Sequence, residues 1–254
     1  MPSPSRQYGA ALGLAAALLL TACGTTPGET DPPADAGTST STTPAPTTTA
    51  APAASSTPST AAANRPAGLR GLLPTASELP GLDPQWRWQA ARTGPAPSAP
   101  FGACAKVEMS ALGASRAVQR DYRPAAAMGD AADTAAAVQA LRFPDRMTAE
   151  RARRVLVAWH DRCAGELAGS GRSNAKVTSL APVPSGSSEA WWYLTSWATS
   201  GDDGHFQAFG IVVRDDRMVL LTMDHDGQDH SYSPRKDPMY RAVQRVDELF
   251  VPQG

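Results

Sequence analysis

The stretch 190–223 constrains the fold more than any other part of the chain. It holds three runs, AWWYLTSWA (190–198), FQAFGIVVR (206–214) and MVLLTM (218–223). Successive side chains of a strand point to opposite faces. Trp191, Tyr193 and Trp197 therefore share one face of the first run, and Trp192 and Leu194 the other. In the second run Phe206, Ala208 and Val212 oppose Phe209, Ile211 and Val213. A sheet with one wet face alternates apolar with polar. These strands are apolar on both faces, so either other elements cover the second face or that face lines an apolar cleft.

Short polar linkers join these runs and the preceding one at 176–183, which favours antiparallel neighbours. The pair Asp215-Asp216 reads as a hairpin turn. Earlier strand candidates are 86–91, with Trp86 and Trp88 on one face, and 117–123. The stretch 134–143 is alanine-rich and helical by propensity. Its second half is read as a strand ended by Pro144.

A long helix is expected over 148–168. Thr148 is its candidate N-cap and Glu150 complements the dipole in the first turn. Ala152, Val155, Leu156, Trp159, Cys163 and Leu167 form an apolar stripe, and Gly169-Ser170-Gly171 stops it. A second helix is expected over 238–250, with Asp237 as N-cap and Pro238 first. Its stripe is Tyr240, Val243, Val246, Leu249 and Phe250. A helical turn at 75–79 has Thr75 and Glu78 in capping-box spacing. The class is α+β: an antiparallel sheet with a long helix and a C-terminal helix packed on it, after a disordered tether.

The tether follows from composition. Residues 24–68 are rich in Thr, Pro, Ala and Ser and nearly lack large apolar side chains. Such a segment cannot bury enough surface to offset the entropy of ordering it, and its prolines favour extended conformations. Before it, Arg6 precedes an apolar run at 9–20. That run is shorter than the roughly 20 residues a spanning helix needs and fits the core of an export signal. It ends in Leu20-Thr21-Ala22-Cys23, the pattern of a bacterial lipoprotein cleavage box, with Cys23 as the lipidated residue. The organisation expected is a lipoprotein signal over 1–23, a tether over 24–68 and a domain over 69–254. The membrane is then a partner through the N-terminal lipid, on the extracytoplasmic face.

The chain has 23 basic and 24 acidic residues. Setting aside Arg6, Arg65, Glu29, Asp31 and Asp35 leaves the domain charge-balanced, so charge supplies no reason to expect nucleic acid as a partner. Cys104 and Cys163 remain after Cys23. In an oxidising compartment they are expected to form a disulfide closing a loop of about sixty residues, a stabilisation of roughly 4 kcal/mol.

The sequence DHDGQDHSYSP begins at Asp224 and packs three aspartates and two histidines into seven residues. It lacks the HExxH spacing of a zinc site and the Gly and Glu positions of a calcium loop, so no metal and no cofactor is assigned. Asp229, His230 and Ser231 have the residue types of a triad, but consecutive residues rarely converge, and no GxSxG elbow is present. The stretch is read as a polar loop after a buried strand, placing Gln228, Asp229 and Tyr232 beside the aromatic rows.

Four stretches, GLLPTASELPGL, FGACAKVEMSALGA, FPDRMTAERARRVLVAWHDRCA and LTMDHDGQDHSYSPRKDPM, resemble the PknH-type extracellular sensor domain of actinobacterial Ser/Thr kinases and related lipoproteins. The resemblance implies an α+β domain with a ligand cleft outside the membrane. In such relatives Gly227-Gln228-Asp229 belongs to a GQDY pattern, with tyrosine where this chain has His230. Two departures stand out: no kinase domain or transmembrane helix accompanies the domain, and one disulfide is available where the kinase sensors carry two. The expected function is a surface-anchored, non-catalytic sensor-like lipoprotein. It binds an unknown small molecule or envelope component through Trp191, Tyr193, Trp197, Gln228, Asp229 and Tyr232. The alternatives are a secreted hydrolase using the 224–230 stretch, or a module docking an envelope protein partner.

Overall fold

The computed structural model describes residues 68–126, 133–186, 188–199, 201–233 and 235–250. The signal, the lipobox and the tether up to residue 67 lie outside the described residues. Both faces of the sheet are covered, and this settles the question its strands pose. The strands are β1 (Trp88–Pro95), β2 (Arg116–Pro124), β3 (Ala135–Arg142), β4 (Lys176–Val177), β5 (Ala181–Pro182), β6 (Glu189–Ala198), β7 (Gly204–Arg214) and β8 (Arg217–Gly227). They form one antiparallel sheet in the order β1-β2-β3-β8-β7-β6-β4, with β5 also on β6. Helix α1 (Arg146–Gly169) covers one face and α2 (Pro238–Phe250) the other.

Alternation sorts the buried apolar side chains of β3, β6, β7 and β8 between two cores. Under α2 lie Ala136, Val138 and Ala140 of β3, Ala208 and Val212 of β7, and Val219, Leu221 and Met223 of β8. Under α1 lie Tyr193, Phe209, Ile211, Met218 and Leu220, with Trp191 and Trp197 packed at the margin. Two glycines mark where covering segments come closest. At Gly210 a Cβ would stand 2.6 Å from Val243 Cγ2 and 2.8 Å from Met239 Sδ, so α2 rests directly on β7. At Gly102, φ 91°, a Cβ would meet the Phe209 ring at 2.6 Å; the segment beside Cys104 lies flat on β7 there.

Several elements differ from the sequence expectation, each for a local reason. The N-cap of α1 is Asp145, whose Oδ1 accepts from the Thr148 N–H at 2.7 Å; Thr148 is the third helical residue. Strand β3 spans the alanine-rich run from Ala135, not only its second half. Pairing to β2 and β8 on both sides and burial of Ala136 and Ala140 outweigh alanine's helix preference. The run 176–183 splits into two short strands. Strand β1 begins at Trp88; Trp86 precedes it in a turn where Asp83 Oδ1 accepts the Gln85 and Trp86 N–H groups at 2.7 and 2.9 Å. The Asp215-Asp216 hairpin joins β7 to β8, with Asp215 at φ 54°. The turn at Thr75 forms, and Glu78 Oε2 accepts the Thr75 N–H at 2.7 Å.

Cys104 and Cys163 are bonded, with Cα atoms 5.3 Å apart and 59 positions between them in sequence. The bond fastens the Gly102 segment to α1 over the same core. Replacing both cysteines by serine is expected to lower the unfolding free energy by about 4 kcal/mol, read as a fall in the urea midpoint under oxidising conditions. The difference should vanish when both proteins are measured fully reduced.

Candidate functional site

Strand β8 runs to Gly227, so Asp224, His225 and Asp226 are strand residues and the loop begins only at Gln228. Alternation then separates the histidine from its acidic neighbours. Asp224 and Asp226 point to the α1 face, and His225 points to the α2 face behind Met223.

On the α1 face, His205 of β7 lies opposite Asp226. Its Nδ1 is 2.6 Å from Asp226 Oδ1 and its Nε2 is 3.4 Å from Asp224 Oδ1. Gln207 Nε2–H donates to Asp224 Oδ1, and Gln207 Oε1 accepts from the Ala103 N–H. Trp197 stacks on His205 with centroids 4.3 Å apart, and the Arg172 guanidinium lies 4.1 Å over the Trp197 ring. With a partner that close on either side, Trp197 offers a ligand its edge rather than an open face.

On the α2 face the polar groups form a chain. His225 Nε2 is 2.8 Å from His230 Nδ1, and His230 Nε2 is 2.8 Å from Asp237 Oδ2. The side chains of His230 and Asp237 are 5% and 2% exposed. Asp237 Oδ1 accepts the Met239 N–H at 2.7 Å, so the carboxylate that caps α2 also holds the loop. Phe206 stacks against both imidazoles, at 5.1 and 5.9 Å. Both ring nitrogens of His230 are thus engaged, and neither is directed at Ser231. Among the described residues no group of three His, Cys, Asp or Glu side chains is arranged to hold a metal ion.

The two faces meet at the strand ends in a cleft of about 360 Å3. Trp197 and Ala198 of β6, Phe206 of β7, Gln228, Asp229 and His230 of the loop, and Asn174 and Lys176 line it. The structure therefore brings together three of the six residues singled out in the sequence: Trp197, Gln228 and Asp229. The other three lie elsewhere. Tyr193 is 5% exposed, stacked on Phe209 at 5.2 Å and edge-on to His160 at 4.7 Å, and burial pushes its hydroxyl pKa up. Trp191 sits under the Arg153 guanidinium at 5.0 Å and is not part of the cleft. Tyr232 turns away and donates its hydroxyl to Leu82 O at 2.7 Å, with its ring edge-on to His230.

Phe206, Lys176 and Asn174 were not among the residues expected from sequence. Phe206 carried a signal, since it shares its face with Ala208 and Val212. Asn174, at φ 53°, sits in the turn after α1 and had none. His225 could have been placed by continuing the alternation Val219, Leu221, Met223 by one step.

No family model matches the chain, and no curated protein sequence matches it. Among solved structures it is similar to the extracellular domain of PknH from Mycobacterium tuberculosis. That match has 13% identity, covers 72% of this chain and 94% of that one, and has a TM-score of 0.49. It is also similar to LpqN, involved in cell envelope biogenesis of Mycobacterium tuberculosis, at 16% identity over 69% of this chain and 79% of that one, with a TM-score of 0.28.

The histidines carry opposite pH signatures. Burial, then the neighbouring His230, holds His225 below its ordinary 6.5. With both imidazoles protonated, two N–H groups would face each other across 2.8 Å. The titratable groups that bear on His225 are His230, His205 and Asp226. Because the folded-state value is depressed, stability is lost as pH falls below 6.5, where the unfolded chain takes the proton first. His205 is raised, first by its bond to Asp224 and then, against burial, by Asp226. Its contribution is fully present below 6.5 and is lost as pH rises through the raised value. Lowering the pH from about 7.5 to about 5.5 is therefore expected to narrow the gap in melting midpoint between wild type and His225→Gln. The same change should widen the gap for His205→Gln. Calorimetry of the three proteins across that range checks both signs.

Proposed function

We propose that this chain is a lipid-anchored extracytoplasmic binding domain, without catalysis, that takes a polar ligand in the cleft of Trp197, Phe206, Gln228 and Asp229. One observation carries the reading: three segments distant in sequence, the turn after α1, the β6–β7 end and the loop after β8, converge on one cleft. A concave site with aromatic walls and a few convergent polar groups is what orients a small ligand. Phe206 supplies a wall and Trp197 an edge, while Gln228 and Asp229, both exposed, supply hydrogen-bonding groups at the rim. The loop carrying them is not loose at its far end, because His230 is bonded to Asp237 and Tyr232 to Leu82.

Two further features support the location. The closed disulfide suits an oxidising compartment. Cys23, in Leu20-Thr21-Ala22-Cys23, supplies the thiol for a lipid anchor. Among the described residues no helix is long and apolar enough to cross a membrane.

Two measurements test the reading. Titrating the full chain with soluble envelope glycan and with muropeptides should give saturable binding that Trp197→Ala and Asp229→Ala each weaken roughly tenfold, the size of one lost charge-assisted or stacking contact. Unaltered affinity in the double variant would remove the site. Replacing Cys23 by serine should move the protein from the membrane fraction to the soluble one. Continued membrane association and continued incorporation of a labelled fatty acid in that variant would remove the anchor.

A further inference from the structure

Between the segment preceding β1 and helix α2 lies a second cleft, of about 660 Å3, which shares no lining residue with the cleft of Trp197. Its walls are fixed by the fold. Trp88 Nε1–H donates to Pro80 O at 2.9 Å, Tyr122 Oη–H donates to Pro74 O at 2.5 Å, and Arg245 of α2 pairs with Glu78 at 2.5 Å. Trp86 stands edge-on to Trp88, with centroids 5.6 Å apart and planes at 65°. A Cβ at Gly81 would stand 2.6 Å from Trp86 Cβ, so the backbone turn backs directly onto the root of this indole.

Three features of the lining point to one chemistry. Trp86 is partly exposed in the cleft, yet its Nε1–H is covered and has no acceptor among the described residues. Buried donors are normally paired, and a small turn of the indole would bring this one to the cleft, where a ligand oxygen could pair it. The charge is unbalanced toward the positive. Arg87 Nη1 donates to two neutral carbonyls, Pro84 O at 2.9 Å and Trp86 O at 2.8 Å, and these leave its charge uncompensated. Arg241 of α2 has no side-chain partner among the described residues. Among the described lining residues Asp83 is the one carboxylate, with Oδ1 accepting the backbone N–H groups of Gln85 and Trp86, so two guanidinium groups face one carboxylate. Finally, the exposed hydroxyls of Thr75 and Ser77 stand at the rim, 3.2 Å apart.

We propose that this cleft binds an acidic saccharide. The C–H face of the sugar ring lies on the Trp86 indole, the only lining aromatic that is not buried. The ring hydroxyls exchange hydrogen bonds with Thr75, Ser77 and, after a small turn of the indole, Trp86 Nε1–H. The anionic substituent sits between Arg241 and Arg87, where a guanidinium gives a carboxylate or phosphate paired, charge-assisted bonds. A neutral sugar would leave the two guanidinium groups without a counter-charge. A simple inorganic anion would leave the indole face and the hydroxyl pair unused. Carboxylate and phosphate share this chemistry, and the experiment separates them.

The test uses the full chain, 15N-labelled on its six tryptophans, with the Trp86 indole resonance identified by its loss in Trp86→Phe. Glucuronate, glucose 6-phosphate and glucose are the three probes. The Trp86 Nε1–H resonance is expected to move downfield saturably with at least one acidic sugar, and the better of the two identifies the anion. Glucose should bind roughly tenfold more weakly, as should the better acidic sugar to Arg241→Gln. Arg241 is exposed, so that variant should keep the wild-type melting midpoint. No saturable shift with either acidic sugar, equal affinity for glucose, or an Arg241→Gln variant of unchanged affinity would each overturn the proposal. Shifts confined to the Trp197 indole would overturn it too, since they place binding in the other cleft.

Discussion

The contact of α2 with β7 at Gly210 is the constraint on which the site-bearing half of the molecule rests. A helix side chain can rest directly on a strand's backbone only where the strand presents no side chain, and Gly210 leaves that gap for Val243 and Met239. Seated there, α2 begins with Asp237 beside the end of β8 and turns Arg241 and Arg245 toward the segment before β1. Enlarging residue 210 would lift the helix from the sheet, and with it the carboxylate that holds His230. Both clefts have a wall supplied or anchored by this one helix.

The end of β8 shows how one strand serves two environments. Alternation sends Asp224 and Asp226 to the α1 face, where His205 and Gln207 on the paired strand receive them. It sends His225 to the α2 face, where the nearest polar partner is another imidazole. The carboxylates raise the first histidine, whereas burial and a like group lower the second. Residues that look like one polar cluster in the sequence are two hydrogen-bonded assemblies on opposite sides of a sheet.

Much of the fold was legible because it rests on periodicity. The stripe of α1, the stripe of α2 and the doubly apolar strands each announce a buried face, and the two helices cover the two faces. The disulfide was legible from compartment and count. The alanine-rich β3 was half misread, because propensity dominates where side chains are small and its sheet neighbours are distant in sequence. The site was less legible. Trp197, Gln228 and Asp229 meet, but Tyr193 was grouped with Trp197 by strand parity, and parity does not tell a core position from a strand end. Tyr193 stands at mid-strand under α1, whereas Trp197 is one residue from the end of β6, where Ala198 pairs with Gly204 of β7. The loop, too, was drawn four residues too early, because polar residues were taken to end a strand that in fact carries them. No local pattern relates Trp86 to Arg241, since the cleft they share exists only once α2 is seated.

The same hydrogen bonds bear on whether this surface performs chemistry or holds a ligand. A general base needs a lone pair within reach of the proton it takes. In the chain from His225 to Asp237, His225 Nε2 and both ring nitrogens of His230 are engaged. On the other face, His205 is bracketed by two carboxylates and covered by Trp197. The cleft presents Asn174, Lys176, Asp202 and Asp203 to solvent beside Gln228, Asp229 and the margins of Trp197 and Phe206. Those groups can orient a polar molecule by contact and hydrogen bonding. Behind them His230 ties the loop to Asp237 at the start of α2.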